Sequence, residues 1–312
     1  MLGDHLQIDD IRKALKPAGA CADVITPYRD ADGLSFYLLD NAYLLKLSRS
    51  PMDAQMKLSR VAHMDHTPKL RASGMLRISG DDYNYAVCDY LHGEELLTVL
   101  HSLTDAQQAD IGAEIVQFLI ELHTIKGNAY DLGHYIPTIP QYVGTWRDGH
   151  AAYADILTEG IGALDLESDS IRACARAFDY IHTHADALTY QAGPVLLHND
   201  FHPKNIITND GRLTGVIDWE CSQYGEADFE LTHLIHWCAF PPQQDKRFDA
   251  MLGVIIKTMQ QAAYVPGLAE RITIYQLEHD MNQMIWRGKV REAERVHHIR
   301  QWLDGLVFDM LR

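Results

Sequence analysis

The order of apolar and polar positions predicts a β-rich segment followed by a mostly helical one. In the first part of the chain, short runs of β-forming residues alternate with turns rich in Asp, Asn and Gly, which is typical of an antiparallel sheet. One helix is predicted within this sheet, over residues 52–64, because Pro51 precedes a stretch with helical spacing. The predicted strands cover residues 24–26, 34–39, 42–47, 75–78 and 83–90.

Helical periodicity replaces strand alternation after residue 93. Thr104 and Gln107 have the spacing of a capping box, and the apolar residues behind them recur at intervals of three and four. The change of pattern predicts an α+β protein with an N-terminal lobe of residues 1–91 and a larger, mainly helical C-terminal lobe of residues 92–312. Further helices are predicted over residues 229–237, 248–262, 268–286 and 292–311.

A short hairpin predicted within the helical part carries the clearest chemistry. The Asn-Asp-Gly sequence at 209–211 lies between two apolar runs, and these residue types tolerate the left-handed backbone of a tight turn. Folding at this turn brings Asn205 and Asp218 together, with Asp200 a short loop away. Oxygen-bearing side chains that converge in this way suit a hard cation and a base, as Mg²⁺-dependent nucleotide chemistry requires.

Negative charge is concentrated in the second lobe. The chain has a net charge of −16, of which residues 1–92 contribute −1 and residues 93–312 contribute −15. Residues 148–171 contain six acids and no Lys or Arg. Such a field disfavours nucleic acid and anionic membranes as partners and attracts a small cationic molecule, although a role in solubility alone accounts for it equally well.

The sequence has no pattern that directs the chain into a membrane. Its first residues lack the basic and apolar regions of a signal peptide, and its apolar runs are too short to span a bilayer. The five cysteines are dispersed and include no C-x-x-C pair, which is typical of reduced thiols. We therefore expect a cytoplasmic protein.

Three motifs around the hairpin resemble the signature of the aminoglycoside phosphotransferase family, a group of kinase-like enzymes that act on small molecules. They are HNDFHPKN at 198–205, VIDW at 216–219 and GEADFEL at 225–231, and the resemblance extends over about residues 20–240. It implies a protein-kinase-like bilobal fold. It also implies that Asp200 is the base for an acceptor hydroxyl, and that Asn205 and Asp218 hold Mg²⁺ on the phosphates of ATP or GTP.

The same resemblance implies a nucleotide site in the N-terminal lobe. Lys46, on the third predicted strand, corresponds to the lysine that contacts the α- and β-phosphates. Gly33 and Ser35 belong to a turn that corresponds to the one over the nucleotide. Backbone groups around Asp89 and Leu91 are expected to bind the base.

One departure from the family pattern concerns the partner of this lysine. The family pairs the lysine with a glutamate on the neighbouring helix, whereas this chain has no glutamate before Glu94. We assign Asp53 to that role, with Gln55 as the other polar candidate. The departure leaves open a slow enzyme or a non-catalytic binding module.

Residues around Asp200 are expected to support its loop. Asn199 replaces a usual glycine, which its tolerance of left-handed backbone allows. Glu230 replaces an aspartate and braces the loop through hydrogen bonds. His198 and His202 have the spacing of a zinc pair, and so do His233 and His236, so a zinc hydrolase is a rival class. Pro203 prevents the helix that would align the first pair, so we expect both of its histidines to be structural.

Together these features predict transfer of the γ-phosphate of ATP or GTP to a hydroxyl of a small cationic acceptor. Aminoglycoside antibiotics are the leading acceptors, which would make the protein an antibiotic-resistance enzyme. Asp148, Asp155 and Glu159 are the residues assigned to the ammonium groups of the acceptor. The same scaffold serves kinases of choline, homoserine, fructosamine and sugars, so these substrates remain alternatives.

Overall fold

The computed structural model describes residues 6–31, 33–52, 54–131, 144–189, 192–241, 249–262 and 267–311. Asp53, the residue assigned as partner of Lys46, lies outside these ranges. The chain divides into two compact units, one formed by Met1–Leu96 with Lys204–Glu220 and the other by Leu97–Pro203 with Cys221–Arg312. The α+β fold class is confirmed, since a five-stranded antiparallel sheet precedes a mostly helical region.

The sheet of the first unit has five strands and is antiparallel throughout, with the third strand along the chain at its centre and the first and fourth at its two edges. Leu45 and Leu47 of the central strand pack into a core with the helix Ile8–Leu15 (α1). Side chains alternate between the two faces of a strand, so Lys46 points away from this core. The strands are Ile25–Ala31 (β1), Leu34–Leu39 (β2), Tyr43–Ser48 (β3), Leu70–Ile78 (β4) and Asp81–Asp89 (β5).

Several predicted elements of this unit have the wrong length, among them β4, which begins at Leu70 rather than at residue 75, and β5, which spans Asp81–Asp89 rather than residues 83–90. β1 continues to Ala31, beyond the predicted end, because it is an edge strand in which Pro27 is tolerated at a register shift. The predicted helix over residues 52–64 is too long, since the helix Ala54–Arg60 (α2) ends four residues earlier. Beyond Arg60 the backbone bonds are those of turns, in which the Val61 N–H donates to the Leu58 carbonyl and the Met64 N–H to the Val61 carbonyl.

The predicted hairpin is confirmed as part of the first unit. Its strands are Ile206–Asn209 (β8) and Arg212–Val216 (β9), and Ile206 pairs with Val216 at the open end. Asp210 and Gly211 have φ of 50° and 74°, the left-handed values that a two-residue type I′ turn requires. The short strand Glu94–Glu95 (β6) pairs with β8 and completes a three-stranded sheet.

The rest of the chain is mostly helical. The capping box predicted at Thr104 and Gln107 is confirmed. In the part of the chain that the structure describes, no helix is long and apolar enough to cross a membrane. The helices are Leu96–Val99 (α3), Asp105–Leu122 (α4), Trp146–Gly162 (α5), Ser168–Thr183 (α6), Leu231–Ala239 (α7), Asp249–Ala262 (α8), Leu268–Arg287 (α9), Glu292–Leu303 (α10) and Leu306–Met310 (α11), and the strands Val195–Leu197 (β7) and Gln223–Gly225 (β10) pair with each other.

Candidate active site

A cavity of about 330 Å³ lies within the first unit. Four of the residues assigned to nucleotide or metal line it: Lys46, Asp89, Leu91 and Asp218. Gly33 has a φ of 80° and open space around its α-carbon, but neither it nor Ser35 is among the residues that form the cavity wall. The remaining lining residues are Tyr28, Arg29, Leu34, Phe36, Leu44, Lys57, Leu58, Pro68, Cys88, Tyr90, Gly93, Glu95, Ile207, Ile217, Trp219 and Glu220.

Lys46 is the best-defined charged group of this cavity. Its ammonium donates to a carboxylate oxygen of Glu220 and lies 5.6 Å from the centre of the Phe36 ring. Burial by itself lowers the pKa of Lys46, but the negative charges of Glu220 and Asp218 raise it by more, so the net pKa lies above its ordinary value. Lys46 is therefore a fixed positive charge at neutral pH, as phosphate contact requires.

The other end of the cavity is formed by the end of β5 and the residues after it. The Arg71 guanidinium holds the Asp89 side chain by two contacts, of 2.5 and 2.9 Å. The Asp89 N–H donates to the Lys69 carbonyl and the Tyr90 N–H to the Ala42 carbonyl. Because both N–H groups are already hydrogen-bonded, neither can donate to a bound nucleotide base. Hydrogen bonds to the base at this end of the cavity would have to come from backbone carbonyl groups or from residue 91.

Asn205 and Asp218 lie at the open end of the hairpin. The Ile217 N–H donates to the Asn205 carbonyl at 2.9 Å, which ties together the residues beyond the last strand pair. Asn205 is buried, whereas Asp218 is exposed toward the cavity with a left-handed φ of 69°. The amide of Asn205 and the carboxylate of Asp218 supply oxygen donors of the kind that a hard divalent cation prefers.

The loop before the hairpin belongs to the second unit and holds Asp200. One Asp200 oxygen lies 3.3 Å from His202 Nε2 and 3.7 Å from His233 Nδ1. Burial by itself raises the pKa of Asp200, but the His202 hydrogen bond and the attraction of His233 and His202 hold the net pKa well below its ordinary value. Burial lowers the pKa of His233 to about 4, so His233 is neutral at pH 7 and its charge does not act on Asp200 there. At neutral pH, the hydrogen bond with His202 is therefore what keeps the pKa of Asp200 low. Asp200 is thus ionised and held from two sides.

Backbone contacts fix the same loop. The N–H groups of His198 and Asn199 donate to the two carboxylate oxygens of Glu230, at 2.6 and 2.9 Å. Asn199 has a left-handed φ of 65°, and its side-chain amide donates to the Cys221 carbonyl. The left-handed backbone explains why asparagine stands where glycine is usual.

Both histidines of the motif contact the loop. His198 Nδ1 accepts a hydrogen bond from the Asp200 N–H at 3.3 Å. His202 stacks on Trp237, with ring centres 4.9 Å apart. His198 is fully buried, and in this position it supports the backbone that carries Asp200.

The carboxylates assigned to the acceptor lie on one helix. Asp148, Asp155 and Glu159 are exposed on α5, on the side opposite to its buried residues. None of the contacts described for these three side chains involves the loop of Asp200. Their assignment to the acceptor stays a prediction.

A buried histidine cluster bears on the rival zinc class. Within the described ranges, one set of three groups has the convergence that a metal needs: His236, Asp280 and His298. The Arg295 guanidinium already lies among them, 2.8 Å from an Asp280 oxygen and 3.2 Å from His236 Nε2. The Trp302 ring N–H donates to the other Asp280 oxygen. Arginine is therefore the cation of this cluster.

Replacing Asp280 by asparagine is expected to lower the free energy of unfolding by about 3 kcal/mol, because it removes the buried counterion of Arg295 and leaves only the half-exposed Glu294 beside that guanidinium. Urea unfolding at neutral pH measures this change. Asp169→Asn is the control, since Asp169 forms exposed ion pairs with Arg172 and Arg300, and its effect should be much smaller. A wild-type protein that lost stability on addition of EDTA would contradict this account and indicate a metal.

Comparison with known proteins shows the family of this chain. The chain belongs to the phosphotransferase enzyme family, whose model matches residues 24–264. The resemblance to aminoglycoside phosphotransferases inferred from the motifs is thereby confirmed. Among curated proteins, the chain is 28% identical over 162 residues to hygromycin-B 4-O-kinase of Escherichia coli, a match that covers 50% of this chain and 42% of that protein.

Solved structures confirm the kinase-like fold. A thermostable mutant of aminoglycoside phosphotransferase APH(4)-Ia in complex with ADP and hygromycin B superimposes with a TM-score of 0.69 at 14% identity, covering 95% of this chain and 98% of that one. ADP-bound aminoglycoside phosphotransferase APH(2'')-Ib gives a TM-score of 0.63 at 18% identity, covering 98% and 99%. At these identities the similarity establishes the fold alone.

The sequence did not indicate the positions of four residues of the site. Arg29, Lys57 and Glu220 line the cavity, and His233, considered above only as a zinc ligand, contacts Asp200. Glu220 had a local signal, since it stands two residues after Asp218 with the buried Trp219 between them. The other three had none, because only the folded chain brings β1, α2 and α7 to these positions.

Proposed function

We propose that the protein transfers the γ-phosphate of ATP or GTP to a hydroxyl group of a small cationic molecule, with aminoglycosides as the leading acceptor class. The observation that carries this proposal is the presence, in one cavity, of a charged lysine and of Asp218 beside Asn205. Such a cavity can bind phosphates through the lysine and a divalent cation through the oxygen donors.

Each residue has a distinct role in this proposal. Lys46 binds the nucleotide phosphates, and Asn205 and Asp218 would hold Mg²⁺, which supplies neutralisation of the phosphate charge. Asp200 accepts a hydrogen bond from the acceptor hydroxyl and takes its proton as the new O–P bond forms and the bond between the γ-phosphorus and the β,γ-bridging oxygen breaks, so that the nucleoside diphosphate leaves. Ionised Asp200 is suited to this role, and His202 and His233 fix the direction in which it points.

Two further observations favour a cationic acceptor. Residues 93–312 carry a net charge of −15, which attracts polyamines and repels anions. The curated relative is named as a kinase of hygromycin B, and one related structure holds streptomycin together with ATP. Choline, homoserine, fructosamine and sugars remain the alternative acceptors, because the fold alone does not select among them.

An acceptor screen tests the proposal. Purified protein with Mg²⁺ and either ATP or GTP is mixed with aminoglycosides, macrolides, choline, homoserine or amino sugars, and nucleoside diphosphate release is followed. We expect acceptor-dependent release with at least one aminoglycoside, and a product that has gained one phosphate by mass spectrometry. If only choline, homoserine or a sugar is phosphorylated, that compound class is the acceptor and aminoglycosides are not. If no acceptor raises the release of nucleoside diphosphate above the acceptor-free rate, the phosphotransferase proposal is contradicted.

A further inference from the structure

The cavity in the first unit pairs its lysine in an unexpected way. Helix α2 has the sequence AQMKLSR and contains no acid, and the chain has no glutamate before Glu94. The carboxylate that contacts the Lys46 ammonium instead comes from Glu220, 174 residues further along the chain. Among the described residues, the carboxylate partner of this lysine comes from the segment that follows the hairpin.

Charged residues of both signs line the cavity around Lys46. Helix α2 contributes Lys57 to the cavity wall, and β1 contributes Arg29, whose guanidinium lies 5.1 Å from the Phe36 ring that Lys46 also contacts. Three cations therefore line one cavity, and like charges in a partly buried space repel. The Asp89 carboxylate is held by Arg71. Glu95 and Asp218 also line the cavity, but Glu220 is the carboxylate to which the Lys46 ammonium donates a hydrogen bond.

The segment that carries Glu220 is well suited to hold a side chain still. Trp219 is buried, and its ring N–H donates to the Val216 carbonyl at 2.9 Å. Trp219–Cys221 form one turn of 3₁₀ helix directly after Asp218, whose left-handed φ redirects the backbone. The anchored Trp219 leaves its two neighbours, Asp218 and Glu220, on the wall of the cavity.

We propose that Glu220 is a positioning residue for nucleotide binding, which holds the Lys46 ammonium in place of a glutamate on the helix. This inference rests on the proposed function, since it assumes that Lys46 contacts nucleotide phosphates. Its consequence is that the lysine and its partner stand on two different parts of the first unit, β3 and the end of the hairpin. Asp218 and Glu220, two residues apart, then have different roles: Asp218 holds the cation and Glu220 holds the Lys46 ammonium.

A double-mutant cycle tests this assignment. ATP affinity is measured by calorimetry for wild type, Glu220→Gln, Lys46→Met and the double variant, once with Mg²⁺ and once with EDTA. We expect Glu220→Gln to weaken ATP binding about tenfold under both conditions, the loss of one charge-assisted contact. In the Lys46→Met background the same substitution should have almost no further effect, because its target is already gone. Asp81→Asn, which removes an exposed ion pair with Arg49 on the same sheet, is the control and should bind ATP like wild type.

Each other outcome has a definite meaning. Additive effects of the two substitutions would overturn the proposal, and so would a loss confined to the Mg²⁺ condition, which would make Glu220 a ligand of the cation. Wild-type affinity of Glu220→Gln would also overturn it while leaving the proposed function intact. A wild-type protein that bound no nucleotide would contradict the proposed function and, with it, the premise of this inference. Thermal melting of each variant verifies that the fold is retained.

Discussion

Replacing Asp200 by asparagine is expected to lower kcat by about 1,000-fold or more, the scale on which a positioned general base contributes. Asparagine has nearly the same shape, so the hydrogen bond with His202 and the fold of the loop should survive. The amide is neutral and cannot take the proton of the acceptor hydroxyl. Nucleotide affinity should change little, because the cavity lined by Lys46 and Asp218 belongs to the first unit and Asp200 to the second.

Two measurements check this prediction. Steady-state kinetics with the best acceptor of the screen gives kcat, and calorimetric titration with ATP gives the nucleotide affinity. Asp105→Asn is a matched control in the second unit, since Asp105 lies exposed in the first turn of α4. It should leave kcat within about twofold, as surface substitutions do. Near-normal turnover in Asp200→Asn would contradict the assignment of the base.

The hairpin illustrates how much of this site the sequence could predict. The Asp-Gly turn and the two apolar runs are local signals, and local signals determine which residues meet at the open end of a hairpin. Asn199 is a second case, because a residue type that tolerates left-handed backbone stands where the structure has φ of 65°. The capping box at Thr104 is a third. In each case the residues that determine the geometry lie within a few positions of one another.

The contacts that the sequence could not predict join residues far apart in the chain. Lys46 and Glu220 are separated by 174 positions, and Asp280 contacts His236 from 44 positions away. Hydrophobic periodicity and turn motifs do not predict such contacts, because these contacts depend on how the folded helices and strands pack against one another. The contact between Lys46 and Glu220 has no local signal for this reason. The assignment of Asp53, which lies outside the described residues, stays a prediction.

Replacing Asp218 by asparagine should remove the dependence of nucleotide binding on Mg²⁺. In wild type we expect ATP affinity to rise when Mg²⁺ is added, since an ionised oxygen donor on the cavity wall can hold a hard cation against the phosphates. In the variant the affinity with Mg²⁺ should fall to the value measured in EDTA, and kcat should fall by about 1,000-fold or more because the charge of the transferring phosphate is no longer neutralised. Titration with ATP at several Mg²⁺ concentrations measures the first effect and steady-state kinetics the second.

Asparagine is the informative substitution at this position, because φ of 69° strains most other residues and would confuse loss of the cation with loss of the backbone. The hairpin supplies its own control in Asp210→Asn, since Asp210 also has a left-handed φ but stands at the turn, at the opposite end from the cavity. That variant should retain both Mg²⁺ dependence and turnover. Mg²⁺-dependent binding that persisted in Asp218→Asn would refute the cation assignment. Asp200→Asn should bind Mg²⁺ and ATP normally and yet fail to turn over. The two variants therefore distinguish the residue that holds the nucleotide through Mg²⁺, Asp218, from the residue that activates the acceptor hydroxyl, Asp200.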